Sequence, residues 1–213
     1  MSATAVPSIR ILIVDDHPLV REGLAAIIRR RGGMEVVGEA ASGPDAVEQY
    51  RRHRPDVMLM DLGLPGMDGV EVIRAVRRDH PDARILVLTV AHGDEDIFQA
   101  LQAGARGYLF KDAPREEVLD AIAAVRAGLK RVCPEAAQSL AERAAGPGLT
   151  SREREVLHEM ISGKSNKEVG ETLGIAESTV KAHVNSILGK LGAADRTQAV
   201  TTALQRGIVR FER

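Results

Sequence analysis

Tryptophan is absent from this 213-residue chain, and aromatic residues together make up only 2% of it, so any core must be built from aliphatic side chains. There is one cysteine, Cys133, which excludes an internal disulfide. It lies among proline and charged residues, with no base beside it, and reads as a passive thiol in a reducing compartment. No apolar run approaches the roughly 18 residues that a membrane span needs, and no early cationic-then-apolar stretch ends in small residues. Neither a membrane segment nor a secretion signal is therefore expected, and the predicted location is the cytoplasm. Internal repeats and low-complexity tracts are missing too. Charge of one sign is also lacking overall, with a formal net charge of -1, but its distribution is uneven. Residues 1–128 carry 16 Lys+Arg against 20 Asp+Glu, whereas residues 129–213 carry 13 against 10. An acidic first part suits a bound cation, and a basic second part tolerates a polyanion.

What is present is a folded composition, 44% hydrophobic and 28% charged, in a length that suits one domain or two small ones. Ile9–Val14 is a continuous aliphatic run broken only by Arg10, the pattern of a strand buried on both faces. Similar short runs recur at Val36–Ala40, Val57–Met60, Ile85–Thr89 and Gly107–Phe110, with helical spacings between them. Five strands alternating with five helices predict an α/β fold with a doubly wound parallel sheet over residues 8–128. After Gly128 the strand signals stop. Residues 129–148, with Pro134 and the breaker triplet Gly146-Pro147-Gly148, read as a linker holding one short helix around Ala136–Ala144. Residues 149–213 read as a second, all-α domain. Thr150 with Glu153 and Ser165 with Glu168 form capping boxes, and Gly174 closes the helix that begins near Asn166. Further helices are expected over Glu177–Gly189 and Arg196–Arg206.

In a doubly wound sheet, ligands sit at the carboxyl ends of the strands. The first strand ends in Asp15 and Asp16, the third in Asp61, the fourth in Thr89 and the fifth in Lys111. Three converging carboxylates repel one another unless a hard cation sits among them, and Mg²⁺ is its natural identity. A cation, a hydroxyl and an ammonium can together hold the oxygens of a phosphoryl group while a carboxylate attacks phosphorus. Each residue alone has an ordinary reading as a cap, a turn or a solvated side chain. The joint pattern does not.

Over residues 8–128 the chain resembles the flavodoxin/CheY-like receiver domain of two-component response regulators. The resemblance is carried by Ile11-Leu12-Ile13-Val14-Asp15-Asp16-His17, by Met60-Asp61-Leu62-Gly63-Leu64-Pro65-Gly66-Met67-Asp68-Gly69, by Leu88-Thr89 and by Gly107-Tyr108-Leu109-Phe110-Lys111. It implies that Asp61 accepts a phosphoryl group from a sensor histidine kinase as one step of a phosphorelay. Asp16, Asp61 and the backbone carbonyl of Gly63 would ligate Mg²⁺, with Asp15 acting largely through water. Thr89 and Tyr108 would form the switch pair, while Pro65 and Gly66 shape the covering loop. Gly63 and Ala91 are small where attacking water would approach, so neither is expected to shield or orient it. Val90 is bulkier than the alanine common in relatives.

In the second domain, Val180, Val184, Ile187, Leu188 and Leu191 share one face of a helix. A capped helix, a tight turn at Gly174 and a second helix with a free polar face follow the grammar of a helix-turn-helix, whose second helix enters the major groove. The resemblance here is to the LuxR-type module of the NarL/FixJ family, carried by Leu149-Thr150-Ser151-Arg152-Glu153-Arg154-Glu155-Val156-Leu157, Gly163-Lys164-Ser165-Asn166-Lys167-Glu168, Thr179-Val180-Lys181-Ala182-His183-Val184, Lys190-Leu191-Gly192 and Arg196-Thr197. The base-facing candidates are Lys181, Ala182 and Asn185. Asn166, Lys167, Ser178, Thr179 and His183 are candidates for phosphate or positioning contacts, His183 partly for packing. Gly170, where relatives carry alanine, costs about 1 kcal/mol of helix propensity. Ala176 replaces the usual serine cap, at about 1 kcal/mol more.

The resulting expectation is a phosphorylated transcription regulator, not an enzyme, with double-stranded DNA, a sensor kinase and, less directly, RNA polymerase as partners, and with homodimers forming on phosphorylation. Two alternatives stand beside it. A phosphatase with an aspartyl nucleophile would carry a second aspartate two residues after Asp61 as general acid, and Gly63 cannot transfer protons. A DNA-binding regulator independent of phosphate would have no use for the full set of Asp15, Asp16, Asp61, Thr89 and Lys111.

Overall fold

Among the described residues, the five aliphatic runs and one two-residue segment form six parallel strands: β1 (Ile9–Val14), β2 (Met34–Ala40), β3 (Val57–Met60), β4 (Ile85–Thr89), β5 (Gly107–Phe110) and β6 (Arg131–Val132). The computed structural model describes residues 8–90, 93–145 and 148–209. Every residue of β3, β4 and β5 is buried, as their unbroken apolar character requires when helices cover both faces. Those helices are α1 (Pro18–Arg31), α2 (Gly43–His53), α3 (Gly69–Asp79), α4 (Asp94–Gln102) and α5 (Arg115–Arg126). The strand order is β2-β1-β3-β4-β5-β6, so the winding direction reverses between β1 and β3 and opens a crevice at their carboxyl ends.

The sheet has six strands rather than the five expected. Arg131 and Val132, assigned from sequence to a linker, extend it beyond β5, with Arg131 N donating to Arg106 O at 3.0 Å and Cys133 N to Tyr108 O at 3.1 Å. Two residues are too few to show a strand period, which is why the pattern did not reveal them. Cys133 is buried at the end of β6, and burial raises its thiol pKa, consistent with an unreactive side chain. The helix that follows, α6 (Pro134–Ala145), is longer than the segment expected around Ala136–Ala144.

Packing divides the chain into two units. Of the described residues, the first holds 8–90 and 97–136, and the second holds 93–96, 137–145 and 148–209. In the second unit α7 (Ser151–Ile161), α8 (Asn166–Leu173), α9 (Glu177–Leu191) and α10 (Arg196–Gln205) surround a small aliphatic core of Val156, Leu157, Met160, Val169, Val180, Val184, Ile187, Ala199 and Ala203. The same unit holds the ion pairs of Glu95 with Arg143 and Arg154 and of Asp94 with Arg206. Among the described residues, no helix is long and apolar enough to cross a membrane.

Both expected capping boxes form. Thr150 accepts from Glu153 N while Glu153 accepts from Thr150 N, and Ser165 and Glu168 repeat the arrangement. Gly174 takes the left-handed conformation, φ 66°, that ends α8. Gly170 has a use beyond its propensity cost. A Cβ there would lie 2.7 Å from the carbonyl oxygen of Ile175, so its absence lets the turn close tightly over α8.

Candidate functional site

The hydrogen-bond ladder continues one step beyond the strands and fixes where the polar residues begin. Asp15 N donates to Ala40 O at 3.1 Å, Asp61 N to Val14 O at 2.9 Å and Lys111 N to Thr89 O at 3.0 Å. These residues therefore emerge together at the crevice. Asp15, Asp61 and Thr89 are buried, with 2%, 4% and 1% of their surface exposed. Lys111 Nζ lies 2.6 Å from Asp15 Oδ2 and 2.7 Å from Asp61 Oδ2. Burial alone would lower the lysine pKa, but hydrogen bonds and charge attraction from Asp15 and Asp61 hold it above its ordinary value.

Asp15, Asp16, His17 and Asp61 each offer a ligand atom, all within 4.8 Å of one another. His17 Nδ1 stands 2.6 Å from Asp16 Oδ1 and 3.3 Å from Asp15 Oδ1, yet Asp16 Oδ1 is buried without a hydrogen bond. An oxygen-rich cluster in which a buried carboxylate oxygen stands outside hydrogen-bond geometry fits a hard cation such as Mg²⁺.

Gly63 N donates to Asp61 Oδ1 at 3.3 Å, and a Cβ on Gly63 would lie 3.7 Å from Asp61 Oδ2. The loop returns at Gly69, where a Cβ would stand 2.6 Å from the carbonyl oxygen of Asp61, so any side chain there would push the end of β3 away. Asp68 then caps α3 through a capping box with Glu71. Tyr108 is completely buried, its ring edge-on to Phe110 at a centroid distance of 5.8 Å. Val90, next to Thr89, is 69% exposed. Ala91, considered above for its small size, lies outside the described residues.

One contributor went unrecognised in the sequence. Arg21, on the second turn of α1, donates to the carbonyl oxygen of Asp15 at 2.7 Å and pairs with Glu39 at 3.4 Å. It braces the loop that carries the acidic pair. An arginine at a helical surface spacing carries no signal of such a role.

In the second unit, Val180, Val184 and Ile187 are buried and Leu188 and Leu191 half-buried, as the stripe predicts. The opposite face of α9 leaves Ser178, Thr179, Lys181, Ala182 and Asn185 exposed, with His183 half-buried. Lys167 is exposed and Asn166 half-buried at the start of α8. Lys181 Nζ is engaged by Glu177 Oε1 at 2.8 Å, one helical turn earlier. Two polar hubs set the helices. Buried Glu153 accepts from Ser186 Oγ, Lys190 Nζ and Thr150 N, each at 2.7 Å. Arg196, from α10, reaches Asn166 and the carbonyl of Lys164. Ala176 caps α9 with no side-chain hydrogen bond, as its methyl dictates.

Comparison with known proteins decides the family. Residues 11–123 match the family described as "Response regulator receiver domain", and residues 147–203 match "Bacterial regulatory proteins, luxR family". The chain belongs to the NarL/FixJ family of response regulators. This response regulator is 40% identical over 204 residues to the nitrate/nitrite response regulator protein NarP of Escherichia coli K12, covering 92% of this chain and 95% of that one. It is also 40% identical over 209 residues to the transcriptional regulatory protein LiaR of Bacillus subtilis 168, covering 94% and 99%. Among solved structures it is similar to the response regulator ChrA of a heme-sensing two-component system, at 38% identity and a TM-score of 0.57, covering 95% of this chain and 99% of that one. A response regulator with a receiver domain and a LuxR-type DNA-binding domain acts in transcription.

Proposed function

We propose that Asp61 is the phospho-acceptor of this response regulator and that its phosphorylation controls DNA binding through α9. The supporting observation is the convergence of Asp61 with Asp15 and Lys111 at the crevice, beside buried Thr89. A carboxylate oxygen of Asp61 attacks the phosphorus of a sensor kinase's phosphohistidine. The phosphorus–nitrogen bond breaks, and the imidazole leaves with the electron pair and takes up a proton. Lys111 and the Thr89 hydroxyl hold the phosphoryl oxygens as charge develops. Asp16, Asp61 and the Gly63 carbonyl would hold Mg²⁺, with Asp15 acting through water. That ion, when bound, offsets the repulsion between phosphoryl group and carboxylates. Thr89 and Tyr108 form the switch, and phosphorylation shifts a pre-existing equilibrium towards a homodimer.

In the second unit Lys181, Ala182 and Asn185 face the bases, and Asn166, Lys167, Ser178, Thr179 and His183 contact or position the backbone. The two-fold symmetry of a dimer places two such helices on related half-sites. The protein works in the cytoplasm, where DNA and RNA polymerase are its targets, and it is a regulator rather than a turnover enzyme. The test is incubation with acetyl phosphate and Mg²⁺ followed by mass spectrometry of the intact chain. One phosphoryl group is expected on the wild type and none on Asp61→Asn; equal labelling of both overturns the assignment.

A further inference from the structure

Asn166 opens α8, and its side chain has two chemically opposite ends, a carbonyl oxygen that only accepts and an amide nitrogen that only donates. Arg196 decides which end is presented. Its Nη1 donates to Asn166 Oδ1 at 3.1 Å, and its Nη2 donates to the carbonyl oxygen of Lys164 at 2.5 Å. One guanidinium therefore grips both the segment leading into α8 and the first residue of that helix. Among the described residues, the Asn166 side chain makes no other hydrogen bond, so its two Nδ2 donors stay available while its acceptor is occupied. A DNA phosphate offers acceptors alone. A freely rotating amide would present oxygen to it part of the time, and that orientation repels.

We propose that Arg196 is a positioning residue for DNA binding: it fixes the Asn166 amide with its donors outward, towards a backbone phosphate at the start of α8. This rests on the reading of α8 and α9 as the DNA-facing helices. Arg196 is half-buried and both of its described bonds are internal, so it acts through Asn166 and not as a phosphate contact. The fork geometry is essential, because an ammonium carries the same charge but cannot span both acceptors in the same way.

The experiment is a double-mutant cycle on the full-length chain, with a mixed-sequence DNA duplex as probe and titrations at fixed salt. Asn166→Ala is expected to weaken binding about ten- to a hundredfold, the scale of one hydrogen bond to a charged partner. Arg196→Lys is expected to weaken it by a similar factor, and the double variant no more than either single one. Lys167→Ala, which removes an independent contact, should add its full effect to Arg196→Lys. Thermal unfolding of each variant confirms folding, and the Nδ2 proton resonances of Asn166, followed by NMR in the intact chain, report amide order directly. Additive effects of Arg196→Lys and Asn166→Ala, or an Asn166 amide equally ordered in Arg196→Lys, overturn the positioning role and leave the DNA-facing reading intact. An Asn166→Ala variant that binds like the wild type removes the phosphate contact itself, and the proposal with it.

Discussion

Lys111 and Asp61 meet across an intervening strand: the ammonium at the end of β5 lies 2.7 Å from the carboxylate at the end of β3, with β4 between them. The same ammonium holds Asp15 at 2.6 Å, so one positive charge restrains two buried negative ones. Lys111→Met should therefore lower stability in the absence of divalent cations by about 3 kcal/mol, because it leaves the two carboxylates unpaired. Added Mg²⁺ should raise the midpoint of the variant more than that of the wild type, since it relieves a larger repulsion. Urea unfolding with and without Mg²⁺ checks both points. Equal responses to Mg²⁺ would show that the lysine does not hold the site's charge balance.

Glu153 gives the second unit a defined pH dependence. Burial pushes its pKa up, but hydrogen bonds from Lys190, Ser186 and Thr150 outweigh that and hold it at about 2, against an ordinary 4.5. A lowered carboxylate pKa stabilises the folded state above the unfolded value, and this contribution is lost as pH falls through the folded value. The difference amounts to about 3 kcal/mol, present above pH 4.5 and gone near pH 2. Glu153→Gln keeps the shape without the charge. Hydrogen exchange in α7 and α9 of the intact chain should separate wild type from variant at neutral pH, with the gap closing towards pH 2. A gap independent of pH would mean that the charge contributes nothing.

Ala176 leaves the start of α9 without a side-chain acceptor. Ala176→Ser should stabilise the second unit by about 1 kcal/mol. The checks are denaturant unfolding and slower exchange of the amides of Ser178 and Thr179. No gain would mean that the approach of the chain to α9 does not let a serine reach those amides.

On the proposed reading of α9, Glu177 would compete with DNA for Lys181. The pair is exposed, at 2.8 Å, and hydrogen bonding to Lys181 lowers the Glu177 pKa. Glu177→Gln frees the lysine and removes a negative charge from the helix proposed to face DNA. Affinity for duplex DNA should rise about threefold at low salt, and the difference should shrink as salt screens it. A loss of affinity would assign Glu177 a direct role in base recognition.

The legible parts of the sequence were those in which several strands agreed. Unbroken aliphatic runs at Val57–Met60 and Ile85–Thr89 end abruptly in Asp61 and Thr89, and burial on both faces leaves such runs no other place in the fold. The capping boxes at Thr150 and Ser165 were legible because donor and acceptor lie three residues apart. Arg21 and Arg196 were not, because Arg21 acts on a carbonyl 6 residues back, across the turn into α1, and Arg196 on one 32 residues away, and neither spacing distinguishes them from solvated arginines. Gly170 was read only through its helix propensity. Its close approach to Ile175 depends on the direction the chain takes after the turn.

The two-residue strand β6 also bears on self-association. An exposed sheet edge is a template on which another chain can pair its backbone, and proteins blunt such edges by keeping the outermost strand short. With β6 laid over Gly107 and Tyr108 of β5, that end of the edge is covered by the chain itself, and the new margin among the described residues offers Arg131 and Val132. Another chain approaching along that margin meets two residues of main chain, too few for a lasting backbone zipper, so pairing there would rest on side chains.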